Sequence, residues 1–290
     1  RKYGNVAKMK SNGVEIALNT VNIKTKDFTW TTDLIYSHMH NEVTELNTLN
    51  RMYDYISGSG FTMPGYPQRS LFSIPFMGLN NEGLPTFLDQ DGNVSVTGIN
   101  MQEYDPERLK FLKYEGPVDP TDVGSLGNVF RYKGVTLNLF ITYSFGNVVR
   151  LDPVFSSSYS DLTATPKEFK DRWVKPGDEN FTNVPVIASK QQLNNIAYLS
   201  RAYQAYNYST ERVAKGDFIR MKEISLGYEF PKSITQPLRL SNLSLKLMAT
   251  NLFLIYADKK LNGQDPEFFN AGGVANPMPK QFTLTLKLGI

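Results

Sequence analysis

The sequence has 290 residues, 41% of them hydrophobic, with 16 Tyr, 18 Phe, no Cys and a formal net charge of +3. That is enough chain and enough hydrocarbon for one large or two ordinary domains, but disulfides and thiol chemistry are excluded, and the scattered basic residues leave no nucleic-acid footprint. No apolar run approaches the roughly 18 residues of a spanning helix, which excludes a helical membrane protein and leaves open a membrane barrel, whose wall alternates.

The chain begins at Arg1 without Met or a signal-like apolar segment, as expected of a mature or truncated piece of something longer. Over residues 13–20, Val14, Ile16 and Leu18 alternate with Glu15, Ala17 and Asn19. A period of two predicts a strand with one greasy and one wet face. A polar link at 24–27 leads into a second such segment with Phe28, Trp30, Leu34 and Tyr36 in phase, so the two predict a hairpin. From 41 to 124 the alternation lapses and Pro and Gly become dense. Such a length is no bare linker, and it predicts a folded functional loop with short strands of its own.

Strand character returns at 126–132, turns at Lys133-Gly134, and continues through 135–145, where Val135, Leu137, Leu139, Ile141, Tyr143 and Phe145 oppose Thr136, Asn138, Thr142 and Ser144. Residues 146–216 form a second long loop. Within it Thr165 and Glu168 have capping-box spacing with Pro166 between them, predicting a short helix from Pro166 to about Trp173. A strand over 217–230 has Ile224, Leu226, Tyr228 and Phe230 in phase and stops at Pro231. Another spans 243–253, with Leu243, Leu245, Leu247, Ala249 and Phe253 on one side. The last, at 281–290, sets Phe282, Leu284, Leu286, Leu288 and Ile290 against Thr283, Thr285 and Lys287.

Connections between these seven strands alternate short and long, the long ones covering about 41–124, 146–216 and 257–280. In an antiparallel sheet that sends every long loop to one side. A secreted, soluble β-sandwich that binds polysaccharide has no reason to do this, whereas an outer-membrane barrel has short turns on one side and long loops on the other. Trp30, Tyr132, Phe145, Tyr228, Phe230 and Phe282, near strand ends, fit interfacial girdles. The soluble sandwich and a passive porin stand as the alternatives.

Several blocks in order resemble the SusC/RagA-type, TonB-dependent outer-membrane transporters over essentially the whole chain. They are residues 9–19 with 28–32 and 41–43; Gly78-Leu-Asn-Asn-Glu-Gly-Leu-Pro85 with Asp91-Gly92; residues 124–134; and Arg172-Trp173 with Pro176-Gly177-Asp178. The most specific are residues 217–231, Ala249-Thr-Asn-Leu-Phe253 and Gly263-Gln-Asp-Pro-Glu267. Two departures are Ile290, where the family commonly ends on an aromatic residue, and seven strands where plugged transporters have about 22. The resemblance therefore implies an all-β fold: residues 1–290 are the C-terminal third of a large, plugged, antiparallel transmembrane β-barrel with long extracellular loops. The plug, TonB box and signal peptide lie outside this sequence. It further implies import of oligosaccharide or peptide across a Gram-negative outer membrane. The implied partners are the remaining N-terminal part of the transporter, a SusD-like surface lipoprotein, the TonB complex acting through the plug, and membrane lipid. No cofactor and no nucleic acid are expected.

No catalytic set emerges, so the protein is not expected to be an enzyme. His38 and His40 could share a metal but have no acidic residue at ligand spacing, and no metal site is assigned. Asp89, Asp91 and Asn93 have part of a calcium loop's spacing and read better as a hairpin turn. Exposed aromatic rings stack on sugars and peptides, which makes Arg172, Trp173, Tyr198, Tyr203, Tyr206 and Tyr208, in the second long loop, the candidates for substrate or lid contact. Glu15, Asn19, Thr136, Asn138, Glu223, Ser225, Glu229, Lys246, Thr285 and Lys287 are expected to face a wet lumen.

Overall fold

A computed structural model describes residues 7–57, 60–155, 166–269 and 279–290. Seven antiparallel strands pair in sequence order into a single open sheet: β1 (Ala7–Lys24), β2 (Phe28–Leu46), β3 (Asp122–Tyr132), β4 (Val135–Phe145), β5 (Phe218–Glu229), β6 (Asn242–Ala257) and β7 (Gln281–Gly289). All seven predicted strands are present. Most run further toward the long connections than the alternation shows, so those connections span residues 47–121, 146–217 and 258–280.

Register turns the seven alternations into one surface. Leu18 faces Leu34, then Leu126, Ile141, Met221 and Phe253 in line across six strands. Leu137, Leu226, Leu247 and Leu284 form a second such row. Directly opposed residues share a face, so the sheet carries a mainly apolar face, interrupted on β1 to β3 by Thr20, Thr32 and Asn128, and a mainly polar one. Register shifts at Lys222 and around Asn251, whose φ is +53°, put Met221 on the same face as Ile224 although their sequence parity differs. The eleven-residue β4 rises about 34 Å. Tilted by about 40°, it covers roughly 26 Å of height, close to the apolar band of an outer-membrane barrel. Aromatic pairs mark its limits: Trp30 stacks on Phe130 at 5.6 Å and Tyr228 meets Phe230 edge-on at one end, while Tyr143 and Phe145 pack at the other.

The hydrophobic core lies elsewhere. Among described residues, the only buried apolar side chains in the seven strands are Val43 and Phe218, both near the long-loop end. Val14, Ile16, Leu226, Leu247, Leu284 and Leu286 remain exposed. A soluble sandwich would bury such a face against a second sheet, and among the described residues no second sheet covers it. The core joins the first two long connections instead, packing Met52, Ile56, Phe72, Ile74 and Phe87 of the first against Phe155, Leu199, Tyr203 and Tyr206 of the second. Val149, Leu151, Ala214 and Leu261 tie in the third. The three loops thus form one folded cap.

The predicted helix at Pro166 is corrected. It is a 3₁₀ turn, Lys167–Asp171, with Pro166 in the cap position and no side-chain cap. Thr165 lies outside the described residues. The Glu168 carboxylate accepts from Arg212 and Asn262.

Candidate ligand-contact site in the loop cap

Arg150 staples the cap together. It leaves the strand Val148–Arg150, and its guanidinium donates to Ser73 Oγ (3.1 Å), the carbonyls of Ile56 (3.1 Å) and Phe72 (2.7 Å) in the first loop, and the carbonyl of Ser209 (2.9 Å) in the second. Four acceptors in a fork suit guanidinium geometry and no other side chain. Burial lowers its pKa to about 10, and among the described residues it forms no ion pair. Arg212 does a similar task with a carboxylate, bonding Glu168 (2.8 Å) and the carbonyl of Asp152.

Two pairs of blocks that carry the family resemblance meet in space. Trp173 is buried and lies so close to Gly83, φ +73°, that a Cβ there would overlap the indole. Its Nε1 donates to Glu179 (2.9 Å), which holds that carboxyl below the usual carboxylate range. At the rim of the sheet Arg220, buried on β5, pairs with buried Asp265 and, at 3.0 Å, with Glu267. This fastens the third loop to the wall.

Between the first and second loops opens a cavity of about 380 Å³ lined by Arg51, Tyr53, Asn100, Gln102, Arg201 and Gln204, with Met101 at its floor. Arg51 reaches Gln102 (3.2 Å), and Arg201 sits 4.3 Å from the Tyr198 ring centroid. Two guanidiniums, three amides and an aromatic ring can bond hydroxyls, peptide groups or a carboxylate, and contain no nucleophile or general base pair.

The six predicted contact residues separate. Trp173, Tyr203 and Tyr206 are buried and hold the cap: Tyr203 donates to the Val186 carbonyl (2.6 Å), and burial pushes the Tyr206 phenol up. Tyr208 is half-buried, 3.1 Å from the Tyr53 hydroxyl, with its phenol pushed up to about 12 mainly by burial. Arg172 lies over the Phe169 ring, and Tyr198 is exposed beside the cavity. None of the residues that line the cavity was among the six candidates. The helix Leu199–Asn207 carried a usable clue: Leu199, Ala202, Tyr203 and Tyr206 recur at helical spacing, which turns Arg201 and Gln204 outward. Elsewhere in the second loop, Val174 and Phe181 flank a turn whose amides bond to Asp178 and Glu179, and Phe181 is 90% exposed.

The ten residues expected at a lumen, from Glu15 to Lys287, all lie on the polar face of the sheet. Asn138 donates to Glu223 (3.1 Å), which Lys246 approaches at 3.8 Å. His38 is engaged by Asp122 (2.8 Å), which also accepts from Tyr36, and no metal-holding cluster occurs among the described residues. Asp89 bonds the amides of Asp91 and Asn93 in a hairpin turn, as its sequence reads.

No family model matches the sequence. Among curated proteins it is similar to a TonB-dependent receptor of Formosa agariphila, 26% identical over 94% of this chain and 29% of that protein. It is also similar to the TonB-dependent receptor SusC of Bacteroides thetaiotaomicron, 25% identical over 99% of this chain and 27% of that protein. Its fold matches the structure of the RagAB peptide transporter, with a TM-score of 0.71 and 22% identity, over 99% of this chain and 30% of that one. The chain spans less than a third of the relatives it matches. These matches show the wall of an antiparallel transmembrane β-barrel, and like the SusC/RagA-type resemblance they extend over nearly the whole chain.

Proposed function

We infer that this chain, similar along its length to SusC/RagA-type TonB-dependent transporters, supplies barrel wall and extracellular cap to an outer-membrane importer of oligosaccharide or peptide. The observation that carries the reading is the division of solvents: a mainly apolar face that spans seven strands and stays exposed among the described residues, and a water-type core confined to the loops at one end. Lipid is the solvent that suits the first, and the extracellular side suits the second. The open edges at β1 and β7 close against the rest of the transporter, since lipid cannot satisfy unpaired strand edges.

On this reading the cap does no covalent chemistry. The Arg51–Arg201 cavity holds solute while a SusD-like lipoprotein covers it, with Phe181 on its rigid turn as an anchor for that lid. Energy comes from the TonB complex through a plug. The test is uptake of a labelled peptide and a labelled oligosaccharide by cells whose complete transporter carries Arg51→Ala and Arg201→Ala together. Uptake of one solute falls at least tenfold at limiting concentration while barrel abundance is unchanged. Unaltered uptake of both solutes refutes the assignment of the cavity.

A further inference from the structure

The cavity between the first two loops carries charge of one sign. Its lining includes Arg51 and Arg201 and no carboxylate. The smaller cavity between the second and third loops, about 210 Å³, is mixed, with Asp152 and Glu168 standing beside Lys167, Lys260 and Arg212.

The two guanidiniums of the larger cavity are not equivalent. Arg51 is partly answered, by Gln102 at 3.2 Å and by Asp54 at 3.4 Å. Glu103, next to Gln102 in sequence, is committed to Arg108 at 3.2 Å. Every other described arginine of the cap also donates to an oxygen of this chain, namely Arg69, Arg108, Arg150, Arg172 and Arg212. Among the described residues the exposed Arg201 guanidinium has no such acceptor. It lies over the Tyr198 ring, 4.3 Å from the centroid, a contact that holds a guanidinium and uses none of its five N–H donors. Tyr198 takes up that place with a left-handed backbone, φ +64°, immediately before the helix Leu199–Asn207. Arg201 stands in the first turn of the same helix, where a cation is unfavourable and no acidic residue offsets it. A charge kept at a cost, with its donors unspent, suits an anionic partner that arrives from outside. The planar fork of a guanidinium meets a carboxylate with two parallel bonds.

We propose that the Arg51–Arg201 cavity selects solutes that carry a carboxylate, and that Arg201 is the residue that reads it. The carboxylate belongs either to an acidic sugar or to a peptide. This rests on the import reading above and names the solute class of the same cavity.

Uptake by cells carrying the complete transporter is measured with two matched pairs of labelled probes. One pair is a tetragalacturonide and its fully methyl-esterified form. The other is a glutamate-containing hexapeptide and its glutamine counterpart with an amidated C-terminus. In one pair the acidic member enters about tenfold faster at limiting concentration, and the pair that shows this assigns the carboxylate to sugar or to peptide. In Arg201→Gln, at unchanged barrel abundance, that preference falls below about threefold, most of the loss being in the acidic member. Arg201→Lys keeps a part of the preference that fades as salt is raised, because a point charge remains without the fork. Equal uptake within both pairs, reduced for both members by Arg51→Ala with Arg201→Ala, overturns the selection and leaves the cavity as a solute site. If that double variant leaves all uptake unaltered, the cavity assignment and the selection fall together. An acidic preference that survives Arg201→Gln, or uptake of none of the four probes, also overturns the proposal.

Discussion

Replacing Arg150 by Met tests whether the cap is held by one buried guanidinium. The substitution keeps most of the volume and strands three carbonyls and a hydroxyl drawn from both loops. Four hydrogen bonds from a charged donor are worth about 1.5–2 kcal/mol each. Against this, burial lowers the guanidinium pKa to about 10, so removing the charge returns roughly 3 kcal/mol. The balance is a loss of about 3–5 kcal/mol, in the range for leaving a buried charge's partners unpaired. Hydrogen exchange read by mass spectrometry on the detergent-solubilised transporter measures it locally. Amides of the segments Met52–Ile56, Ser70–Ser73 and Leu199–Asn207 lose protection at least a hundredfold, while those of β4 and β5 keep theirs, because neither strand contributes to the cap core. Arg150→Lys rescues little, since an ammonium cannot span the fork. Loss of less than fivefold in the cap, or an equal loss in the strands, refutes the argument.

On the wall, Leu139→Lys at mid-height of the apolar face costs about 2–4 kcal/mol in urea unfolding from phospholipid vesicles. Asn138→Lys, one residue away on the polar face and beside Glu223, costs under about 1 kcal/mol; equal costs would sink the assignment of faces. Asp265→Asn leaves buried Arg220 with Glu267 as its remaining carboxylate partner and weakens docking of the third loop by about 2–3 kcal/mol, seen as faster proteinase cleavage within 258–269. The double change Arg220→Met, Asp265→Leu restores most of the resistance, and cleavage as fast as in the single variant counts against the pair. Tyr208 gives a pH signature. Its pKa is raised to about 12, so its contribution to cap stability is complete below about pH 10 and is lost as pH rises through 12. Phenolate absorbance shows a late-ionising class that is one tyrosine smaller in Tyr208→Phe, and an unchanged class disproves the shift.

The wall was legible because a membrane strand has its solvent written into every second residue. Val135 to Phe145 alternates with one exception, Phe140 on the polar side, and its neighbours repeat the pattern in register. Legibility stopped where geometry departs from the period. Nothing in the sequence around Lys222 announces the register shift that keeps Met221 and Ile224 on one face. In the cap the contacts that matter join residues 94 apart, as Arg150 and Ile56, or 59 apart, as Arg150 and Ser209. Such pairings carry no local period. Aromatic density in the second loop was read as display, yet Tyr203 and Tyr206 follow the helical repeat of a buried face and serve as core. Glu168 has the same lesson: its spacing is local, but its partner Arg212 is not.

The blocks that carried the resemblance are explained by where the structure puts them. Gly83 and Trp173 come from different loops, and the indole occupies the space a side chain at Gly83 would need, so each fixes the other. Arg220 and Asp265 sit where the wall meets the cap, a junction that neither lipid nor water solvates well. A lone charge there would be costly, whereas a pair also bonded to Glu267 holds a loop in one place. Lipid contributes nothing to holding the cap on the wall, and the apolar core of the loops touches the strands only at their rim, as at Ala257. Directional, buried polar contacts are what remains to join them, and that is the kind of contact found at each seam: Arg150 between the first two loops, Arg212 within the second, Arg220 between the third loop and β5.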